Sequence, residues 1–335
     1  MVETTVSEPK GSDIRQRVLF TGGLGRSGST LVEKLINELP STFSVGETVH
    51  LWERGVRDHE RCGCGEAFTE CAHWLAVGNE AFGGWDQVDV DRMIDLRWAE
   101  DRSRRLPQIF QAVRSGKVSD AQQEYLDGMR SVLIAAATVA ADDRSTPEAP
   151  VLPSDVVILD SSKHLSTAAL LACDPALDVR VLHLLRDPRG VAYSWMKTVE
   201  RPETDGEIMP QYSAKRTAGR WVTDNLGFDT LAALGVPTLQ VRYEDILAAP
   251  QEQLLAIARF ADAIEPEVSS LDFIDGNTAH LSTAMHSIAG NPLRFGGDDV
   301  ELRLDDAWQT KLPAGDRRTV ELITRPVLGR FGYER

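Results

Sequence analysis

Gly23-Leu24-Gly25-Arg26-Ser27-Gly28-Ser29-Thr30 sets two glycines four residues apart and follows them with hydroxyl side chains. A loop of this kind turns backbone N–H groups and a helix N-terminus toward a phosphate. The position that carries lysine in a nucleoside triphosphatase is Ser29, so the cation that grips β and γ phosphates is missing and Arg26 supplies a different one. A second constellation, Arg186-Asp187-Pro188-Arg189-Gly190-Val191-Ala192-Tyr193-Ser194, offers an arginine and, two helical turns on, a serine to a further anion. Its structural alternative is a salt bridge from Arg186 to Asp187 or Asp160, with Ser194 packed silently.

Both constellations need elements to aim them. The apolar run Arg17 to Gly22 reads as a buried strand, and Leu31, Leu35 and Leu39 follow with helical spacing after the glycine turn. Asp155 to Asp160 is a second compact strand leading to a helix near His164 to Cys173. Val179 to Leu185 is another, running into Asp187 as N-cap and Pro188 in the first helical turn. Pro237 to Tyr243 is a further strand, followed by one amphipathic helix through Phe260. None alternates polar and apolar residues, as expected for a parallel sheet covered on both faces. The fold expected is α/β, a P-loop-like doubly wound parallel sheet flanked by helices: a polar tail over residues 1–16, then one domain over 17–335. A mostly polar helical insertion at about 85–150 is expected to form a wall or lid. Open sheets of this type bind ligands beyond the carboxyl ends of their strands, where both constellations fall.

In these two motifs and their order the chain resembles the sulfotransferase superfamily, whose members move a sulfuryl group from 3′-phosphoadenosine-5′-phosphosulfate (PAPS) to an acceptor. The resemblance extends through Ser44 to Glu47 (SVGE), Asp160 to Lys163 (DSSK), Arg242 to Asp245 (RYED), His286 to Phe295 (HSIAGNPLRF), Asp306 to Trp308 and Gly332-Tyr333. The Arg-Ser-Gly loop is more like carbohydrate and tyrosylprotein sulfotransferases than cytosolic small-molecule enzymes. The resemblance implies that Gly25, Arg26, Ser27, Gly28, Ser29 and Thr30 bind the 5′-phosphosulfate, and that Arg186 and Ser194 bind the 3′-phosphate. It further implies Tyr243 near the adenine and Arg294, with His286 and Asn291, in a C-terminal clamp.

Sulfuryl transfer requires in-line attack, loss of the acceptor proton and stabilisation of the leaving phosphate, which positioning and electrostatics can supply without a metal. Glu47 resembles the glutamate base of tyrosylprotein sulfotransferases, and His50, three residues on, is its rival. Lys163, after the strand DVVILD, points to the same sheet edge as the phosphate loop and is the candidate to stabilise the bridging and sulfuryl oxygens. Arg26 completes the catalytic set. The donor expected is PAPS, the product 3′-phosphoadenosine-5′-phosphate (PAP), and the acceptor a hydroxyl of a small metabolite, glycan or lipid. A P-loop kinase of a small metabolite and a non-catalytic nucleotide-binding module are the alternatives.

With 51 acidic residues against 36 Lys and Arg, the net charge is −15. That excess argues against broad binding of nucleic acid or anionic membrane, which require a basic face. No run of apolar residues is long enough to span a bilayer and the N-terminus lacks a signal-peptide core, so a cytoplasmic location is expected. Cys62, Cys64, Cys71 and His73 can be written as a Cys₃His zinc set, but C-x-C-x₆-C-x-H is not a standard finger spacing. A reduced loop packed under Trp74, or a redox-sensitive pair, is expected instead, and no metal. Trp52, Trp85, Trp98 and Trp195 suggest a sugar platform, although scattered tryptophans are more often packing residues.

Overall fold

The computed structural model describes residues 15–199, 208–265, 268–281, 283–295 and 299–334. Most of the expected polar tail, residues 1–14, lies outside them. Strands β1 (Gln16–Gly22), β2 (Thr42–Gly46), β3 (Val157–Lys163), β4 (Leu177–Leu185) and β5 (Thr238–Arg242) form a parallel sheet in the order β2-β3-β1-β4-β5. Successive side chains of a strand point to opposite faces. Val18, Phe20, Ile158 and Val181 therefore enter one apolar layer, while Leu19, Leu159, Leu182 and Leu184 enter the other. Both layers are covered by helices, which accounts for unbroken apolar strands.

Helix α1 (Ser29–Asn37) follows β1 and leads out to β2 at one edge of the sheet. Between β2 and β3 run α2 (Ala72–Phe82), α3 (Val90–Glu100), α4 (Leu106–Ser115) and α5 (Asp120–Arg144). The last starts in a reciprocal cap, Ser119 with Gln122, and buries Met129, Leu133, Ala136, Ala137 and Ala140 against the sheet. This helix supplies core as well as polar surface, because small alanines let it lie close to the strands. Helix α6 (Leu165–Leu171) joins β3 to β4, and α7 (Pro188–Met196) and α8 (Ala214–Ala233) join β4 to β5. The chain thus leaves β1 in one direction and β4 in the other, so the crevice between them is the topological switch point.

Three boundaries differ from expectation. The strand expected to stop at Asp160 continues to Lys163, because Gly22 and Lys163 still pair after a one-residue shift of register. The single helix expected through Phe260 is two, α9 (Tyr243–Ala248) and α10 (Pro250–Phe260). Pro250 has no N–H to donate, and Ala249 leaves helical geometry at φ −142° and ψ 65°. A small antiparallel sheet, β6 (Ile274–Asp275), β7 (Thr278–His280) and β8 (Asp299–Glu301), was not foreseen; its strands are too short to carry a period. The chain ends in α11 (Trp308–Lys311) and α12 (Ala314–Thr324), the latter packed on α8.

Candidate active site

The loop after β1 is shaped by positive φ at Gly23, Arg26 and Gly28, the last leading directly into α1. A Cβ at residue 28 would lie 2.2 Å from the Tyr243 ring, so only glycine lets that ring close on the loop. Ser27 turns inward and donates its hydroxyl to the Leu24 carbonyl at 2.7 Å, tightening the turn. Left-handed backbone at a non-glycine residue costs of order 1–2 kcal/mol, and at Arg26 the side chain it directs lies 5.3 Å over the Trp195 ring. The Trp195 indole in turn donates to the Gly25 carbonyl at 2.8 Å. Burial lowers the pKa of Arg26, with Glu47 acting in the opposite sense.

Across the crevice, Asp187 caps α7 as expected and pairs with Arg189 at 2.6 Å. The Arg186 guanidinium instead reaches the Arg26 carbonyl at 3.2 Å and lies 5.1 Å over Tyr243. Asp160 is bonded to Thr48 and Ser162, so neither acid of the alternative reading holds Arg186. The RYED segment ties this wall together: Glu244 accepts from the Asp187 N–H and from the Tyr333 hydroxyl, each at 2.9 Å. Arg242 binds both Asp245, at 2.6 Å, and the Gly332 carbonyl.

On the opposite side, Lys163 Nζ meets Glu47 Oε1 at 2.6 Å and the Ser161 carbonyl at 2.8 Å. Lys163 has a positive φ of 67°, a strained backbone of the kind found at functional sites. His50 Nε2 stands 3.7 Å from the other Glu47 oxygen. The turn bearing Glu47 and His50 is fastened to β3 by buried polar groups: Thr48 donates to Asp160, and the Val49 N–H donates to Ser162 Oγ at 3.0 Å. DSSK therefore supplies both the cation and the anchor of its partner. Burial raises Asp160 to about 6 and Glu33, bonded to Ser44 behind the same turn, to about 7. His164 beside them is pushed down to about 3 by burial, with His50 adding to the effect.

These groups face one cavity of about 690 Å³. Gly25, Arg26, Gly28, Ser29, Thr30, Glu47, His50, Lys163, Arg186, Ser194 and Tyr243 all line it. Ser27 and Arg294 lie behind the wall: Arg294 is 3% exposed and donates to the Arg61 carbonyl at 3.1 Å, while Asn291 and Gly290 face the cavity. Of the tryptophans only Trp195 reaches it; Trp52 is packed in the core, Trp85 is partly buried against it, and Trp98 stands on the surface, 43% exposed. Sequence reasoning missed Lys34, Arg220, Asp224 and Asp305, whose helix and loop positions carry no motif. Five Lys and Arg side chains line the cavity against three acidic ones, a local reversal of the chain's charge.

Strand, glycine loop and helix beside a cationic crevice at the switch point of a parallel sheet define an α/β protein of P-loop-like fold. Residues 19–265 match the model of the family described as "Sulfotransferase family", and the chain belongs to that family. Among relatives, human carbohydrate sulfotransferase 3 is 29% identical over 182 residues, covering 49% of this chain and 35% of that protein. Mouse carbohydrate sulfotransferase 4 is 29% identical over 47% of this chain and 43% of its own length, so these matches span less than half of either relative. Human carbohydrate sulfotransferase 6 is 25% identical over 98% of this chain and 83% of its own. The sulfotransferase domain from the curacin biosynthetic pathway superposes with a TM-score of 0.46 and 18% identity, over 96% of this chain and 98% of that one. No helix among the described residues is long and apolar enough to cross a membrane.

Proposed function

We propose that this sulfotransferase uses PAPS as donor and a hydroxyl group as acceptor, with Glu47 as general base. The observation that carries the reading is the Glu47–Lys163 pair at 2.6 Å, facing the same cavity as the phosphate loop and Arg186. The residues suit the donor: the glycines leave loop N–H groups and the start of α1 accessible, and Arg186 and Ser194 line the same cavity and would hold a second, separate phosphate. When bound, PAPS supplies a sulfuryl group on a phosphate leaving group. Lys163 orients the Glu47 carboxylate through their 2.6 Å contact, and Oε of Glu47 would take the acceptor proton. The Lys163 ammonium, Arg26 and the loop N–H groups oppose negative charge that grows on the leaving side. His50 is placed to accept or relay the proton from the far Glu47 oxygen.

The acceptor class that agrees with the relatives' names is a glycan hydroxyl; small metabolites and lipids are outcomes of an acceptor screen. Ser103 and Leu106, from the segment before α5, line the cavity and are proposed as part of the acceptor wall. Cytoplasmic location remains part of the same proposal. Thermal unfolding tests the donor. PAP should stabilise the chain far more than ADP, by about 2.7 kcal/mol at 100 times its dissociation constant. Equal shifts with ATP, ADP and PAP would reject the reading and favour a kinase.

A further inference from the structure

The three clustered cysteines gain a fourth partner from far along the chain. Cys71 Sγ lies 3.7 Å from Cys62 Sγ, 3.7 Å from Cys64 Sγ and 3.3 Å from His286 Nδ1; Cys62 Sγ is 3.7 Å from the same nitrogen. All four ligand atoms fall within 4.8 Å of one another. A tetrahedral zinc with sulfur at about 2.3 Å and nitrogen at about 2.0–2.1 Å separates its ligands by roughly 3.8 Å for two sulfurs and roughly 3.5 Å for sulfur and nitrogen. The four separations above, 3.3 to 3.7 Å, are close to that polyhedron. They do not match a disulfide, whose sulfurs stand about 2.05 Å apart.

We infer that Cys62, Cys64, Cys71 and His286 form a structural zinc site. His73, the fourth member of the Cys₃His set that the sequence spells, is not part of it. Its ring stacks on His286 at 4.8 Å and lies tilted against Phe43 at 4.5 Å, so it packs as a plate behind the His286 ring. The surroundings are built for the contact. Cys71 sits at the N-terminus of α2, where the helix dipole favours a thiolate. Gly63 is crossed so closely by the chain from Met285 to Ser287 that a Cβ there would lie 2.7 Å from the Met285 carbonyl oxygen. The Gly63 N–H donates to the Ser287 carbonyl and the Trp74 indole to the His286 carbonyl, at 3.0 and 2.9 Å. Cys62 and Cys71 are buried and Cys64 is exposed, which leaves an entry path.

On binding, the three thiols give up their protons to solvent and four bonds to the metal form, with no change of oxidation state. The metal would join the 62–71 loop to the segment 286–294. That segment bonds the Glu47 N–H through the Ile288 carbonyl at 2.9 Å and carries Asn291 to the cavity wall. The site is a clamp behind the reaction centre and takes no part in the chemistry.

Elemental analysis of the full chain, purified under reducing conditions, should find one zinc per chain. Cobalt(II) added to chelator-stripped protein should give the intense visible bands of a tetrahedral ion together with thiolate-to-cobalt charge transfer. Cys64→Ser, at an exposed position, should lower zinc affinity about 100-fold or more, and Cys173→Ser should leave the stoichiometry at one. His286→Ala should lose the metal and His73→Ala retain it. Stripped protein should melt at a lower temperature and recover with zinc alone. Substoichiometric zinc with only a weak octahedral cobalt spectrum would overturn the assignment, as would a disulfide among these cysteines in the purified chain. Because metal content and spectrum are read without donor or acceptor, this result is independent of the PAP comparison.

Discussion

The two sides of the cavity are held by different physics. The side proposed to hold phosphate is positioned by rings and backbone: Tyr243 closes on Gly28, Trp195 carries Arg26, and Arg186 bonds main chain. The proposed reaction side holds three neighbouring sets of charges and buried hydroxyls: Ser44 on Glu33, Lys163 on Glu47, and Thr48 and Ser162 on Asp160. Stacking tolerates ligand exchange because it costs no unpaired charge. A buried polar network is less forgiving, since each removed partner leaves another unsatisfied. Binding and turnover should therefore separate cleanly on mutation.

The largest effect is expected on the reaction side. Glu47→Gln keeps the volume and removes the base, and should lower turnover by roughly 10²–10⁴-fold with little change in PAP affinity. Unchanged turnover there, with a loss in His50→Ala, would move the role to His50. Next comes Arg186→Ala on the phosphate side, which should weaken PAP by at least about tenfold in a titration and leave ADP nearly unaffected, given 1.5–3 kcal/mol or so for a charge-assisted bond. A parallel loss of both ligands would show that Arg186 shapes the wall and meets no 3′-phosphate.

Stability against pH probes the buried network. Glu33 is raised from 4.5 to about 7 and Asp160 from 3.8 to about 6, both chiefly by burial. The folded state thus holds these protons more tightly than the unfolded chain. Their contribution is complete below the unfolded values and is lost as pH rises through about 6 to 7. Melting temperature should fall across that window, and Glu33→Gln should flatten the fall by an amount of order 1–3 kcal/mol. An identical slope in wild type and variant would show that Glu33 stays ionised. Smallest of all, Ser194→Ala removes a single uncharged donor to the phosphate and should weaken PAP only about two- to tenfold.

Much of this was legible in local spacing. The glycine loop, the strand before it, the Asp187 cap and the resemblance carried by SVGE, DSSK and RYED all lie within short segments whose geometry is dictated by backbone preference and period. What local spacing could not reveal was partnership. Nothing near Arg186 in sequence distinguishes a bond to Asp187 from the observed reach to the Arg26 carbonyl. Arg294 carries the motif yet lies behind the wall, whereas Arg220 and Asp224 face the cavity from a helix without one.

The sequence by itself determined the parallel sheet, the phosphate loop and the candidate pair Glu47 and Lys163, because apolar runs and turn residues act on their immediate neighbours. Only the tertiary structure decided that these two side chains meet, and that His286, 215 residues beyond Cys71, displaces the adjacent His73 from the cysteine cluster. The reason is the same in both cases: a ligand or ion-pair distance is set by which backbone segments pack together, here Ile288 against the end of β2 and Gly63 beneath Ser287, and not by separation along the chain.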